Sequence, residues 1–426
     1  MVSVLEQMMM GEGYLSADGN AGLYIYIPFC LRKCLYCDFL SFAVTGREGA
    51  EKKRRYVNAL TAELAMRAGD FEGRRLSSVY IGGGTPSSLD EGAIAEIMRA
   101  VRENYVLGED AEITIEVNPC TATAEKLREY REAGVNRISF GVQSADDRVL
   151  KNLGRLHDFR RACEAFSLAR EAGFENISLD LMYALPGQTP ESLRDTLERF
   201  LELDPEHISA YSLILEEGTP FFEMYGRGKG DGFAPLPSEE EEEAMYSLAD
   251  GMLEAAGFRR YEISNYAKPG FESRHNTLYW RRDEYLGVGL GAASLVKRAD
   301  TETGKEIRYK NTTDLDAYIS FFTGLAGSGD PDGTVPERMK AAGLYEEAEE
   351  LSLGDEMAEF MFLGLRMTEG VSREWFESTF GQSLDSVYGD VVEKYAGLGL
   401  IESEGDCVRL TKRGFRLSNT VFAEMI

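Results

Sequence analysis

Three cysteines fall close together in the stretch YIYIPFCLRKCLYCDFLSF, as Cys30, Cys34 and Cys37. Thiolates at this density suit a metal, and the choice lies between an iron–sulfur cluster and zinc. A tetrahedral structural zinc site needs a fourth ligand. The only histidines, His157, His207 and His275, lie far away in sequence, and none belongs to a second short-spaced ligand pair. Phe39 stands where a fourth cysteine would extend the run. A cubane held by only three thiolates leaves one iron with an open position, just as a catalytic metal keeps a site for its substrate. The missing ligand then becomes a binding site.

Something must hold these thiols in place. Six short runs rich in β-branched and aromatic residues, at 23–27, 77–81, 112–117, 137–142, 176–182 and 207–214, read as strands. Helix-length segments such as AEKLREYREAG (124–134) and FRRACEAFSLAREAG (159–173) separate them, each closed by glycine. Such alternation implies right-handed βα units in a parallel sheet. Six units fall short of a closed eight-stranded barrel, so the expected fold class is α/β, a partial (β/α)6 barrel with its chemistry at the C-terminal strand ends. The cysteines follow the first strand directly. GGGTP (82–86) ends the second, where absent side chains let backbone approach a ligand or simply make a tight turn. Glu116, Gln143 and Asp180 sit at or near the ends of three further strands, and Arg155 in LGRLHD offers a guanidinium fork for a carboxylate.

Length and composition set the surroundings. A chain of 426 residues exceeds one domain of ordinary size. Its segments read as an N-terminal extension (1–22), the barrel (23–230), a middle region (231–345) and an α+β C-terminal part (346–426) ending in a winged-helix-like unit, with its hairpin turning at EGD. The Gly- and Pro-rich stretch at 226–238 marks the first internal boundary, and Ser238 with Glu241 forms a capping box for a following acidic helix. A net charge of −27, from 73 acidic and 46 basic residues, disfavours nucleic acid and anionic membranes as main partners. The winged-helix pattern without a basic recognition helix therefore reads as a structural lid rather than a DNA reader. Six cysteines, three of them scattered as Cys120, Cys163 and Cys407, are no disulfide framework for this length and point to a reducing cytoplasm. The N-terminus lacks a signal-peptide pattern, and no uncharged apolar run approaches the ~18 residues of a membrane span.

The spacing C-x3-C-x2-C directly after a first strand resembles the signature of the radical S-adenosylmethionine (SAM) superfamily. That resemblance implies a 4Fe–4S cluster on Cys30, Cys34 and Cys37, with SAM chelated at the open iron. Within the superfamily the chain is similar to the oxygen-independent coproporphyrinogen oxidase group, in order from residue 23 to about 220, through DLMYALPGQT and YSLILEEGTP. By that likeness Tyr24, Gly83, Gly84, Thr85, Glu116, Gln143, Arg155 and Asp180 take the SAM-binding positions. One departure is Tyr26, where the group usually carries histidine in Y-x-H-I-P-F-C. If that histidine tunes the cluster or moves a proton, this chain does so differently or not at all.

Two subfamilies divide the group. The coproporphyrinogen III dehydrogenases carry a further cysteine, as C-x3-C-x2-C-x-C, whereas the heme chaperones read C-D-F, as Cys37-Asp38-Phe39 does here. HNTLYW (275–280) also resembles the H-N-x-x-Y-W motif of the chaperones. The resemblance implies a third cofactor, heme, with His275 as its ligand, and heme-accepting apoproteins as partners. Arg281 and Arg282 follow at once, either to meet propionates or as a solvated pair. LGVGLGAAS (286–294) is a weak nucleotide-loop signal, since no clear βαβ unit surrounds it. The expected function is heme binding and delivery. Dehydrogenation of coproporphyrinogen III is the alternative.

Overall fold

The computed structural model describes residues 20–226, 234–297, 306–325 and 339–426. The expected N-terminal extension lies outside the described residues up to residue 19, as does much of the Gly-rich boundary after Gly226. All six expected strands form: β1 (Asn20–Ile27), β2 (Arg75–Gly83), β3 (Val106–Val117), β4 (Arg137–Gln143), β5 (Asn176–Tyr183) and β6 (His207–Ser212). They pair in parallel and in chain order. One set of alternate residues is apolar and buried, such as Leu23, Ile25 and Ile27 of β1 or Ile177, Leu179 and Leu181 of β5. These face the helices. The other set is polar: Tyr24 and Tyr26, Ser78 and Tyr80, Thr114 and Glu116, Ser178 and Asp180. With a period of two, it must line the concave side.

The outer face is covered by α1 (Gly46–Met66), α2 (Ala93–Asn104), α3 (Ala124–Glu132), α4 (Phe159–Glu171) and α5 (Pro190–Leu201). Their ends follow local chemistry. The Thr123 hydroxyl accepts from the Lys126 N–H and the Asp158 carboxylate from the Arg161 N–H, so two otherwise orphaned donors are satisfied. Further on, α6 (Glu239–Ala255) opens with the expected Ser238–Glu241 capping box.

Two edges extend the sheet beyond what the sequence indicates. Past β6 lie two short antiparallel strands, β7 (Arg259–Arg260) and β8 (Asn265–Ala267). The helix α7 (Arg274–Trp280) follows. On the other edge β9 (Tyr285–Val288) pairs in parallel with β1, and β10 (Ala293–Lys297), β11 (Glu306–Asn311) and β12 (Tyr345–Glu350) continue antiparallel, with α8 (Leu315–Leu325) between the last two. Among the described residues the sheet thus has 12 strands.

The glycines of LGVGLGAAS serve this edge. A Cβ on Gly289, at φ +98°, would lie 2.6 Å from the Tyr56 hydroxyl of α1 and 2.7 Å from the Tyr26 carbonyl oxygen. The fully buried Glu63 of α1 accepts from the Gly289 N–H at 2.7 Å, and its ion-pair partner Arg67 donates to the Gly287 carbonyl at 3.0 Å. The loop is therefore a seam between helix and sheet.

The C-terminal part has a core of its own around Phe360, Phe376, Tyr388 and Val408. It contains α9 (Leu353–Gly364), α10 (Arg373–Phe380), α11 (Leu384–Gly397) and the three-stranded sheet of β13 (Val371–Ser372), β14 (Ile401–Glu404) and β15 (Cys407–Leu410). The last two strands form the expected hairpin, turning at Gly405 with φ +56°. Among the described residues no helix is long and apolar enough to cross a membrane.

Candidate functional site

At the C-terminal ends of the strands a cavity of about 380 Å³ opens, within the range of small-molecule sites. Its wall includes Cys30, Cys34 and Cys37 together with Gly83, Gly84, Thr85, Glu116, Gln143, Arg155 and Asp180. The structure thus gathers from five strands and loops what is scattered over 150 residues of sequence. The GGGTP glycines are fixed by packing. A Cβ on Gly83, at φ +106°, would sit 2.9 Å from the Tyr26 ring, and one on Gly84 would sit 2.9 Å from the Phe29 carbonyl oxygen. Thr85 Oγ1 lies 3.4 Å from Cys30 Sγ. Tyr26, in the place of the usual histidine, donates its hydroxyl to the Leu40 carbonyl at 2.9 Å and so ties down the far end of the cysteine loop.

Electrostatics follow from burial. Glu116 is pushed up to about 7, first by desolvation and then by the charge of Asp180, against hydrogen bonds from the Tyr80 hydroxyl and the Gly83 N–H. Asp180 is pushed up to about 6 by burial, opposed by the Ser139 hydroxyl and by Arg137 and Arg155. Burial also raises the Cys30 thiol and pushes Cys37 up to about 11. Arg155 donates to the Gly141 carbonyl and, at 3.5 Å, to Cys34 Sγ. Gln143 holds a left-handed backbone, φ 75°, which is strained for a residue with a Cβ, and its side-chain oxygen accepts from the Tyr211 hydroxyl at 3.0 Å.

Comparison with known proteins agrees with this geometry. Residues 24–200 match the family described as the Radical SAM superfamily, and residues 351–417 match the HemN C-terminal domain. The "Heme chaperone HemW" of Bacillus subtilis is 38% identical over 404 residues, covering 95% of this chain and 98% of that protein. The protein of the same name from Lactococcus lactis is 36% identical, covering 95% and 96%. The chain belongs to the HemW family. Its fold is also that of the solved coproporphyrinogen III oxidase (HemN) from Escherichia coli, with a TM-score of 0.77 at 24% identity over 97% of this chain and 91% of that one.

Radical SAM membership implies a 4Fe–4S cluster and SAM, and the donor set fits both. Among the described residues no three His, Cys, Asp or Glu side chains converge as the ligands of one ion do. A cubane instead takes each thiolate on a different iron, and three thiols around one cavity wall suit it. Beside them the cavity offers an arginine for a carboxylate and two carboxyls for hydroxyl groups, as a sulfonium nucleotide with an amino-acid tail requires.

Two of the expected site residues lie elsewhere. Tyr24 is not on the cavity wall. It sits one layer beneath, level with Tyr80 in the register, with their rings 5.9 Å apart, and stacks on His275 at 6.0 Å. His275 is buried at the opposite, N-terminal end of the barrel. Its Nδ1 is 2.8 Å from the Ser78 hydroxyl and its Nε2 3.1 Å from the Tyr279 hydroxyl, so neither nitrogen is available to a metal in this arrangement. Burial, and then the charge of Arg137, depresses it to about 3. Helix α7 is seated there because the Arg274 and His275 N–H groups donate to Glu112 of β3, which lies opposite Ser78 of β2. The motif closes the barrel floor. Arg281 and Arg282 are not one solvated pair: Arg281 pairs with Glu369 at the surface, its side chain 38% exposed, whereas Arg282 is buried against Glu306 and Glu359.

Residues that the sequence reading passed over also belong to the site. Ser139, Tyr36 and Tyr211 line the cavity. Arg137, only 2% exposed, places a cation in the lumen between the carboxyls above and the histidines below. The polar alternation RISFGVQ carried that signal, with Arg137 in phase with Ser139 and Gln143.

Proposed function

We propose that the protein is a heme chaperone, holding a 4Fe–4S cluster on Cys30, Cys34 and Cys37 and SAM across Gly83, Gly84, Thr85, Glu116, Gln143, Arg155 and Asp180, and passing heme to acceptor apoproteins in the cytoplasm. In this reading residues 23–230 form the cofactor-binding barrel, 231–345 close its floor and far edge, and 346–426 form the C-terminal unit. The observation that carries it is a cavity wall with three thiols and Cys37-Asp38-Phe39, not a fourth thiol, in a chain so similar to proteins named heme chaperone. When bound, the cluster would supply single electrons to the sulfonium group. The chain's own residues position the nucleotide: Arg155 meets its carboxylate beside Cys34, while Glu116 and Asp180 accept from its hydroxyls. A sulfonium charge in the cavity favours the ionised form of both carboxyls.

His275 can reach a heme iron only after α7 leaves the barrel floor and Ser78 and Tyr279 let go of the ring. Heme ligation by His275 is therefore gated by that opening, and the observed association rate should level off as hemin concentration rises. A rate that stays linear in hemin removes His275 from the heme site, as does a His275→Ala chain with an unchanged Soret band and affinity. The chaperone reading is tested by giving reconstituted protein hemin and, separately, coproporphyrinogen III with SAM and dithionite. Stoichiometric Soret-shifted binding without decarboxylated product is expected. Protoporphyrinogen formation would turn the assignment to the dehydrogenase.

A further inference from the structure

Arg137 is held differently from the other buried cations. Arg67 pairs with Glu63 and Asp70 and donates to the Gly287 carbonyl, and Arg282 pairs with Glu306 and Glu359. The Arg137 guanidinium, equally enclosed, makes no hydrogen bond or ion pair with the described residues, and its Nε is buried without a partner. Glu116 and Asp180 feel its charge from above and His207 and His275 from below. Neither carboxyl meets it directly, because the Glu116 oxygens accept from Tyr80 and the Gly83 N–H, and Asp180 from Ser139. A guanidinium cannot shed its proton to escape burial, so the cost of desolvation stands until an anion or a polar ligand meets it.

The strand register makes Arg137 the middle of a set. Thr114 of β3 lies opposite Arg137 of β4, and Arg137 opposite Asn176 of β5. A period of two turns all three towards the lumen, and Thr114 Oγ1 and Asn176 Oδ1 are likewise enclosed without partners. A hydroxyl donates as well as accepts, and half a turn of the carboxamide presents its NH2 group, so three adjacent strands can offer donors to one anion. The SAM carboxylate is not that anion, since Arg155 serves it at the cavity wall. A heme with its iron on His275 carries two propionates at one edge, and Arg281 and Arg282 beside that motif already face carboxylates. We propose that Arg137, with Thr114 and Asn176, receives a heme propionate once α7 leaves the barrel floor, so that the cargo is gripped at its iron by His275 and at its edge by Arg137. The carboxyls above line the nucleotide cavity, where the sulfonium charge offsets their repulsion of a propionate. The inference rests on the heme reading above.

The test titrates the reconstituted full chain, followed in the Soret band, with hemin and with hemin dimethyl ester, which keeps the iron and the macrocycle but has no free carboxylate. The parent should bind hemin about ten-fold or more tighter than the ester. Arg137→Met should bind the two within about two-fold of each other, and Arg137→Lys, which keeps the charge, should recover part of the preference. Urea unfolding without hemin gives a second readout. Arg137→Met should be at least as stable as the parent, because it removes an unmatched buried cation, whereas an arginine that serves only the fold would lose stability when replaced. Equal affinities of hemin and ester in the parent, an undiminished preference in Arg137→Met, or a destabilised Arg137→Met chain overturns the proposal. Failure of the heme reading shows separately, as a parent that binds neither compound or a His275→Ala chain with an unchanged Soret band and affinity.

Discussion

The two ends of the barrel lumen are built from the same alternation of strand residues, yet they hold their buried titratable groups in opposite ways. At the open end Glu116 and Asp180 are raised to about 7 and about 6 and face a cavity. At the floor His275 is depressed to about 3 and His207 lies well below its ordinary value, each enclosed between a serine and a tyrosine hydroxyl. Arg137 lies between them and acts on both ends, favouring the ionised carboxyls and disfavouring charged imidazoles. Burial alone therefore does not mark a functional group. What separates the ends is whether hydrogen-bonding capacity faces space or is already matched by protein.

The comparison breaks first at the thiols. Cys34→Ala should abolish iron retention after anaerobic reconstitution, whereas His275→Ala should keep the full iron complement. A His275→Ala protein that loses its iron would mean that the two ends are not separate. That floor variant should instead show itself in stability. Removing the ring leaves the Ser78 and Tyr279 hydroxyls unmatched and opens a void among Tyr24, Tyr80 and Tyr279. A loss of about 3 kcal/mol in urea unfolding is expected.

Glu116→Gln sharpens the contrast with a smaller effect in the other direction. It should weaken SAM binding by about ten-fold, measured by equilibrium dialysis, while iron content and the unfolding midpoint at acidic pH stay close to the parent. Unchanged SAM affinity would remove Glu116 from the nucleotide site.

Which end a residue belongs to was only partly legible in the sequence. The strands, the cysteine loop and the carboxyls at strand ends could be read because each depends on local spacing, and a residue at the end of a parallel strand can only face the barrel mouth. The layer that Tyr24 and His275 occupy could not be read for one reason. Both stand in recognisable motifs, but the layer a side chain occupies depends on strand register, here Tyr24 opposite Tyr80 instead of Gly82, and on where α7 docks. That docking is decided by Glu112, more than 160 positions away from the N–H groups it receives. The extension from β9 to β12 escaped for a similar reason, since its strands are short, broken by glycine, and start from a pairing with β1 across the whole barrel. Arg137 was visible in the alternation, yet an arginine at a strand start is ordinarily a surface residue.

The smallest effect is the one that reads both ends at once. Glu116 keeps its proton in the folded chain up to about 7, against an ordinary 4.5, so the folded state binds more protons across that window and stability falls as pH rises through it. His275 does the reverse. Folded, it takes a proton only near 3, whereas unfolded it does so at 6.5, so stability falls as pH drops below 6.5. The limbs overlap and largely mask each other in the parent protein. Urea midpoints of Glu116→Gln minus parent, taken without SAM, should therefore rise with pH between about 4.5 and about 7 and then stay flat, by ~1 kcal/mol because water in the cavity softens the desolvation. The same difference for His275→Gln should grow towards acid. Two flat difference profiles would show that neither end titrates as its burial requires, and the contrast between cavity and floor would reduce to shape alone.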